Sequence, residues 1–499
     1  MTRPRAVRTL FVIVSVLQFM HACIMLSCIM NFIDRTEEME RLGRLVERNE
    51  GSLAVVYGRR RLGKTRLLLE WVGRHDGLYA VADLSSAEIQ RHYFAEAVAS
   101  RLPGFADVEY RDWQVLLSRL ASEAKRAGWR GPIVFDELPY LVLASPELPS
   151  VLQRWVDHEA RDARLVIAVA GSSQRMMQGI VLSSDAPLYG RAREILEIRP
   201  LDPSFLGAAF RTRKGIRLVE HFTAWGGVPR YWELAAEASE NPLLAVEELV
   251  LNPLGPLHRE PDRVLIEEVP TALEVRPILD AIGLGAHRVS EIAGRIGRPA
   301  TSISRPLDRL VGMGLARRET PFGELEKKSR RSLYRIDDPF FRLWFRVVAS
   351  HRGRLASSSR QDRLKLLGRY WSQLAAASWE DLCRRRLPFL TQKTPLGRRG
   401  PWGPASRWWR AKEPEWDIVS ESLDGKRLLI AEAKWSGHPL TERSLERGSR
   451  ALGQRALPAL PSRYRDHTFI RVLFVPELAQ GVSKPKKGPL VVTASDIMR

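Results

Sequence analysis

The run Val55-Val56-Tyr57-Gly58-Arg59-Arg60-Arg61-Leu62-Gly63-Lys64-Thr65-Arg66 constrains this 499-residue chain more than any other stretch. A short apolar segment ends in Gly58, four residues separate it from Gly63, and a helical pattern opens at Lys64. Such spacing is that of a phosphate-binding loop held between a buried strand and a helix, which demands an α/β fold. Glycines let consecutive backbone N–H groups turn inward on an anion, and the following helix offers it a positive end. On this reading Lys64 reaches the β and γ phosphates of ATP, the Thr65 hydroxyl ligands Mg²⁺, and Arg66 stands in the same first turn. Gly131-Pro132-Ile133-Val134-Phe135-Asp136-Glu137 supplies the second half of such a site. Asp136 would hold Mg²⁺ through water, and Glu137 would act as the base that orients an attacking water.

Apolar runs at Leu53–Tyr57, Leu78–Ala82, Ile133–Phe135, Leu165–Ala170 and Glu194–Ile198 alternate with helical patterns. That alternation predicts a parallel sheet covered by helices on both faces. Phe32-Ile33-Asp34-Arg35-Thr36-Glu37-Glu38 leads into a helix with Leu42, Leu45 and Val46 on one face. Gly171-Ser172-Ser173-Gln174, after the fourth strand, reads equally as a γ-phosphate sensor or a helix N-cap. Arg191, in the loop before the fifth strand, is the candidate arginine finger, the alternative being a solvated surface charge.

Residues 269–338 read as three helices and a β-wing, with Lys327, Lys328, Arg330 and Arg331 clustered in the wing. Such a pattern serves protein packing as often as DNA contact. In the last third, Glu415-Trp416-Asp417-Ile418-Val419 and Leu428-Leu429-Ile430-Ala431-Glu432-Ala433-Lys434 predict two strands joined by a turn, bringing Asp417 beside Glu432. Two carboxylates and Lys434 at a strand end suit a Mg²⁺ site that activates water against a phosphodiester, with Glu380 on the helix Trp371–Arg386 as a further ligand. The other reading is a surface hairpin with an ion pair. Trp402, Trp408 and Trp409, among arginines, are either core residues or stacking platforms for bases.

The net charge of +20 is unevenly placed. Residues 339–499 hold 31 Lys/Arg against 14 Asp/Glu, residues 1–29 hold three Arg and no acid, and residues 30–338 balance at 44 each. A basic excess confined to one domain points to a polyanion there, DNA being the expected partner. Three cysteines (Cys23, Cys28 and Cys383) provide no disulfide framework or metal spacing, so a reducing cytoplasm is expected. Thr9 to Ile33 contains no Asp, Glu, Lys or Arg. That length suits a membrane span or a signal sequence, yet either would export the ATP site. A start codon set too far upstream, with Met30 as the natural beginning, is the preferred reading, and a genuine anchor is the alternative.

With these residues in view, the chain from about Met30 onward resembles the archaeal-type P-loop ATPases of the STAND group. Their C-terminal domain is restriction-endonuclease-like, of the PD-(D/E)xK type. Phe32-Ile33-Asp34-Arg35-x-x-Glu38 is similar to that family's opening motif, and the resemblance places Arg35 near the nucleotide base. Gly227-Val228-Pro229 matches its G-x-P motif, whose proline, here Pro229, approaches the nucleotide. Tyr334-Arg335-Ile336-Asp337-Asp338-Pro339-Phe340-Phe341 is similar to the family's domain junction. The implied fold is α/β: a P-loop NTPase sheet (30–205), a helical subdomain (206–268), a winged helix (269–338) and a small α/β nuclease-like domain (339–499), after a leader of 1–29. The expected function is an ATP-driven switch coupled to a DNA-binding winged helix and a Mg²⁺-dependent nuclease-like domain. A signalling or scaffold ATPase whose last domain only binds is the alternative. Homo-oligomerisation is left open and membrane association is not expected.

Overall fold

The computed structural model describes residues 32–172, 174–269, 272–324, 331–411 and 413–498. The leader 1–29 and the wing residues Lys327, Lys328 and Arg330 therefore lie outside the described residues. Among the described residues no helix is long and apolar enough to cross a membrane.

Helix α1 (Thr36–Glu47) buries Met39, Leu42 and Leu45, an i, i+3, i+6 stripe, against the first sheet. That sheet consists of β1 (Ser52–Tyr57), β2 (Leu78–Val81), β3 (Ile133–Asp136), β4 (Val166–Gly171) and β5 (Ala192–Glu197). All pairings are parallel, in the order β2-β3-β4-β1-β5. All five strands stand where the apolar runs predict them. A parallel sheet buried on both faces needs continuous apolar strands rather than alternating ones. In β1, Ala54 and Val56 enter one core while Leu53 and Val55 enter the other. The phosphate loop follows β1 and leads into α2 (Lys64–Arg74), which buries Leu67, Leu68 and Trp71.

The chain continues through α3 (Leu138–Ala144), α4 (Gly215–Trp225) and α5 (Pro229–Ala238). Residues 272–336 form α6 (Ala272–Gly283), α7 (Val289–Ile296), α8 (Ala300–Gly312) and the antiparallel hairpin β6 (Ala316–Glu319) with β7 (Leu333–Ile336). Asp338 then caps α9 (Pro339–Leu343), accepting the Phe340 amide at 2.9 Å. The helix expected over Trp371–Arg386 is the second half of a longer one, α10 (Arg360–Arg386).

The second sheet has the order β12-β11-β10-β9-β8: β8 (Ser406–Trp408), β9 (Trp416–Glu421), β10 (Arg427–Ala433), β11 (Thr468–Val475) and β12 (Leu490–Thr493). Strands β8, β9 and β10 pair antiparallel, while β10, β11 and β12 are parallel. Leu429 and Ala431 of β10 face the α10 side, and Leu428 and Ile430 face α11 (Glu442–Gln454). One continuous apolar core runs from α1 through α4 and α10 to Ile497. Trp402, Trp408 and Trp409 are buried in this half, and the Trp402 indole donates to the Leu396 carbonyl at 3.0 Å. Base stacking is therefore excluded for these tryptophans in this conformation, and their core reading holds.

Candidate nucleotide site and the junction behind it

The loop after β1 can turn only because of its glycines. Gly58 has φ 148°, and a Cβ there would stand 2.5 Å from the Ile198 carbonyl oxygen. Gly63 has φ 87° at the start of α2, a left-handed conformation that costs an L side chain strain. Lys64 is buried and donates to the Gly58 carbonyl at 2.7 Å and to the Arg59 carbonyl at 3.2 Å. Its ammonium thus lies across the mouth of the loop, backed by the first turn of α2. Thr65, exposed beside it, donates its hydroxyl to Asp136 Oδ2 at 3.0 Å. Tyr79 donates to the same oxygen at 2.5 Å. Arg66, half-buried, stands in the same turn.

Glu137 is left-handed at φ 54°, an uncommon conformation for a residue with a side chain. The geometry is fixed locally, because Asp136 Oδ1 accepts the Glu137 amide at 2.9 Å and Leu138-Pro139 starts a helix at once. It turns the Glu137 carboxylate toward β4, where it accepts the Ser172 hydroxyl at 3.0 Å and amide at 3.3 Å. Ser172 follows β4, the strand between β1 and β3, so the sheet order itself brings loop, acid and serine together. Arg60 adds a donor to the Ser172 hydroxyl at 3.4 Å.

Two expected residues support the loop from outside. Arg35 is buried and donates to the Leu62 carbonyl at 3.0 Å and the Arg199 carbonyl at 2.6 Å, pairing with Glu38 at 3.0 Å. Its guanidinium is engaged by the loop's own backbone. Pro229 opens α5 with its Cγ 3.6 Å from where a Cβ on Gly63 would lie. Arg191 is not part of this cluster. It precedes Ala192, which pairs with Leu53 near the start of β1, whereas the phosphate loop leaves the other end of that strand. Its guanidinium holds Asp157 at 2.9 Å and the Pro187 carbonyl at 3.0 Å. An arginine finger acting within this chain is thereby corrected to a structural ion pair.

A parallel sheet in this order, with a lysine-capped loop and two adjacent carboxylates at its carboxyl edge, matches known proteins. Residues 32–231 match a family described as an ATPase domain predominantly from Archaea. The structure is similar to a Walker-type ATPase of Pyrococcus abyssi, with TM-score 0.50 and 20% identity, covering 64% of this chain and 97% of that one. The first half has the fold of a P-loop ATPase. Residues 344–447 match a family described as archaeal and bacterial proteins of unknown function. A protein of Methanocaldococcus jannaschii is 27% identical over 415 residues, spanning 81% of this chain and 87% of its own. The ATPase match spans both the Phe32–Glu38 segment and the Gly227-Val228-Pro229 motif.

The C-terminal residues singled out by sequence lie at the end of the β9–β10 pair. Asp417 Oδ2 accepts the Ala433 amide at 3.0 Å, so the strands bearing Asp417 and Glu432 do meet. Glu432, however, is held by Arg455 at 3.0 Å and Lys434 at 3.6 Å, and Glu380 by Arg384 at 3.6 Å. Among the described residues no group of three or more His, Cys, Asp or Glu is gathered to hold a metal. Of the expected site of Asp417, Glu432 and Lys434, the lysine does stand beside Glu432, while Arg455 and Arg384 pair with Glu432 and with the further candidate Glu380.

Burial, and then the negative charge of Glu380, push the Asp417 carboxyl up to about 6. The folded state thus binds this proton more tightly than the unfolded chain, and stability falls as pH rises from about 4 to about 6. Asp417→Asn keeps an acceptor for the Ala433 amide and removes the ionisation. It is expected to be more stable than wild type at pH 7, by up to about 3 kcal/mol, and equal to it near pH 3. Urea unfolding at the two pH values checks this; equal midpoints at pH 7 would contradict it.

Sequence reasoning singled out the Tyr334–Phe341 junction but missed the buried ionic cluster behind it. Asp381 on α10 is 2% exposed and receives Arg317, Arg342 and Arg384, the last at 2.6 Å. Burial alone would raise this carboxyl, but the arginines hold it well below the usual range. Arg317 also meets Asp337 at 3.0 Å and Glu319 at 2.8 Å. Asp338 reaches back to Arg59 of the phosphate loop at 2.5 Å. Several basic residues of 339–499 likewise answer acids upstream: Arg352 pairs Asp262, Arg363 pairs Glu247 and Arg386 pairs Asp202, at 2.6, 2.7 and 2.8 Å. Part of the uneven charge is thus consumed inside the molecule.

Proposed function

We propose that this protein is an ATP-hydrolysing switch whose nucleotide state is transmitted to a DNA-binding C-terminal domain. The observation that carries the first part is the contact set Lys64–Gly58, Thr65–Asp136 and Glu137–Ser172 around one loop. ATP is the substrate. Lys64 supplies positive charge to its β and γ phosphates, the loop amides and α2 hold them, and Glu137 orients and deprotonates the attacking water. The Thr65 hydroxyl and Asp136 carboxylate, 3.0 Å apart, fit Mg²⁺, which would neutralise charge between the β and γ phosphates. Ser172 fixes the Glu137 carboxylate. Arg35 and Pro229 shape the loop and the floor of the base site.

We read α6, α7, α8 and the β6–β7 hairpin as a winged helix, and the second sheet as a nuclease-like fold. Binding without cutting is favoured there, because Glu432 is committed to Arg455 and Lys434. The face for DNA is α11, where Arg443, Arg447 and Arg450 are exposed at i, i+4 and i+7 beside the half-buried Lys434. Affinity for duplex DNA should fall with salt by about 0.9 log units per log salt for each phosphate contact. Replacing the three arginines by alanine in the full chain should lower that slope by roughly 3 and weaken all sequences alike. Fluorescence anisotropy at several salt concentrations gives the slope, and an unchanged slope would move the contact elsewhere. ATP turnover with and without duplex tests the coupling, the expected result being a rate that responds to DNA. Plasmid should remain intact with Mg²⁺.

A further inference from the structure

Between the phosphate loop and the end of α8 lies a cavity of about 870 Å³. Gly58, Arg59 and Ser172 line it from the sheet, and Met313, Asp337 and Arg385 line it from the other half. Arg59 does not answer the cavity alone, since its guanidinium reaches Asp338 and lies 5.2 Å from the centroid of the Phe341 ring. Arg385 is different. It is 40% exposed, stands near the end of α10, and donates to the Asp337 carboxylate at 2.6 Å and carbonyl at 3.1 Å. Cation and partner thus line the same cavity as Ser172, the residue that positions Glu137.

We propose that Arg385 is a binding residue for the terminal phosphate of a nucleoside triphosphate, contributed to the P-loop site by the C-terminal half of the chain. The proposal rests on the nucleotide reading of the P-loop and adds what reads the third phosphate. In the present arrangement Asp337 holds the guanidinium by one charged hydrogen bond to its carboxylate. A phosphate group offers three oxygens in place of that carboxylate and matches the two-pronged guanidinium equally well. A diphosphate, held by Lys64 and the loop amides, ends short of the Ser172 side and leaves Arg385 with Asp337. Arg385 also adjoins Arg384, which donates to the Asp417 carbonyl of β9 at 2.8 Å and to Asp381 at 2.6 Å.

The test measures binding of ADP and of β,γ-imido-ATP by calorimetry in the full chain with Mg²⁺, for wild type, Arg385→Ala, Asp337→Asn and the double variant. Arg385→Ala should weaken the triphosphate analogue about 10- to 100-fold, the loss of one charged hydrogen-bond donor, while ADP changes less than twofold. Asp337→Asn removes the competitor and should tighten the analogue severalfold, and the double variant should lose that gain. Arg385→Lys, which keeps the charge without the fork, should fall between wild type and Arg385→Ala, and replaces the latter if it fails to fold. An Arg385→Ala effect that is absent, or equal for both nucleotides, overturns the proposal, as does an Asp337→Asn protein that does not tighten. If wild type binds neither nucleotide, the P-loop reading fails and takes the proposal with it. Tight binding lost in Lys64→Ala but indifferent to Arg385 defeats the proposal alone.

Discussion

Asp381→Ala is expected to destabilise the protein by about 3–5 kcal/mol, the usual cost of removing one partner from a buried ionic cluster. The carboxylate is 2% exposed and is the shared acceptor for Arg317, Arg342 and Arg384, which come from the hairpin, α9 and α10. Without it, three guanidiniums remain close together, and among the described residues only Arg317 and Arg384 keep other carboxylate partners, Glu319 and Asp337 for the one and Glu380 for the other. Asp381→Asn keeps the volume and one acceptor, so its loss should be smaller, yet still well above that of a surface substitution. Chemical unfolding followed by tryptophan fluorescence reads the effect, since Trp379 is fully buried on the same helix. Because the cluster ties the β6–β7 hairpin and α9 to α10, the packing of α10 against them should be the first to loosen in the variant. A loss below about 1 kcal/mol would mean that the cluster is relaxed by water and does not hold the junction.

Glu137→Gln should bind ATP as wild type does and hydrolyse it about 10²- to 10⁴-fold more slowly, the range a positioned general base supplies. The substitution keeps an acceptor for the Ser172 hydroxyl and removes only the negative charge and the basicity. The left-handed backbone at Glu137 argues for such a role, because strain of that kind persists where neighbouring structure imposes it. Steady-state phosphate release measures the rate. A Glu137→Gln protein with normal turnover would assign the base elsewhere. Ser172→Ala should show a weaker form of the same defect, since it loosens the carboxylate without removing it.

Much of the first half was legible in the residues. A buried parallel strand needs an unbroken apolar run, and a loop that wraps an anion needs glycines at fixed spacing, so both leave marks in the sequence. The β2-β3-β4-β1-β5 order is not written in any one segment, yet it is what sets Ser172 beside Glu137. Arg191 does not reach this chain's own loop, and sequence could not tell so, because it shows that an arginine precedes β5, not which end of the sheet that loop occupies. The basic excess of residues 339–499 was legible as a number but not as a destination. Opposite charges hundreds of positions apart, such as Asp202 and Arg386, carry no local signature of their pairing. Glu432 and Glu380 looked free to take a metal although Lys434 and Arg384 stand only two and four residues away, because sequence spacing alone does not say that such a pair forms.

The central claim is that the Gly58–Thr65 loop is an ATP site organised by Lys64. Its most direct test is an equilibrium titration of wild type and Lys64→Ala with a fluorescent ATP analogue in Mg²⁺. Saturable one-to-one binding in wild type is predicted, weakened at least about 100-fold in Lys64→Ala by loss of the charged contact to the phosphates. Equal affinity in the two proteins would contradict it.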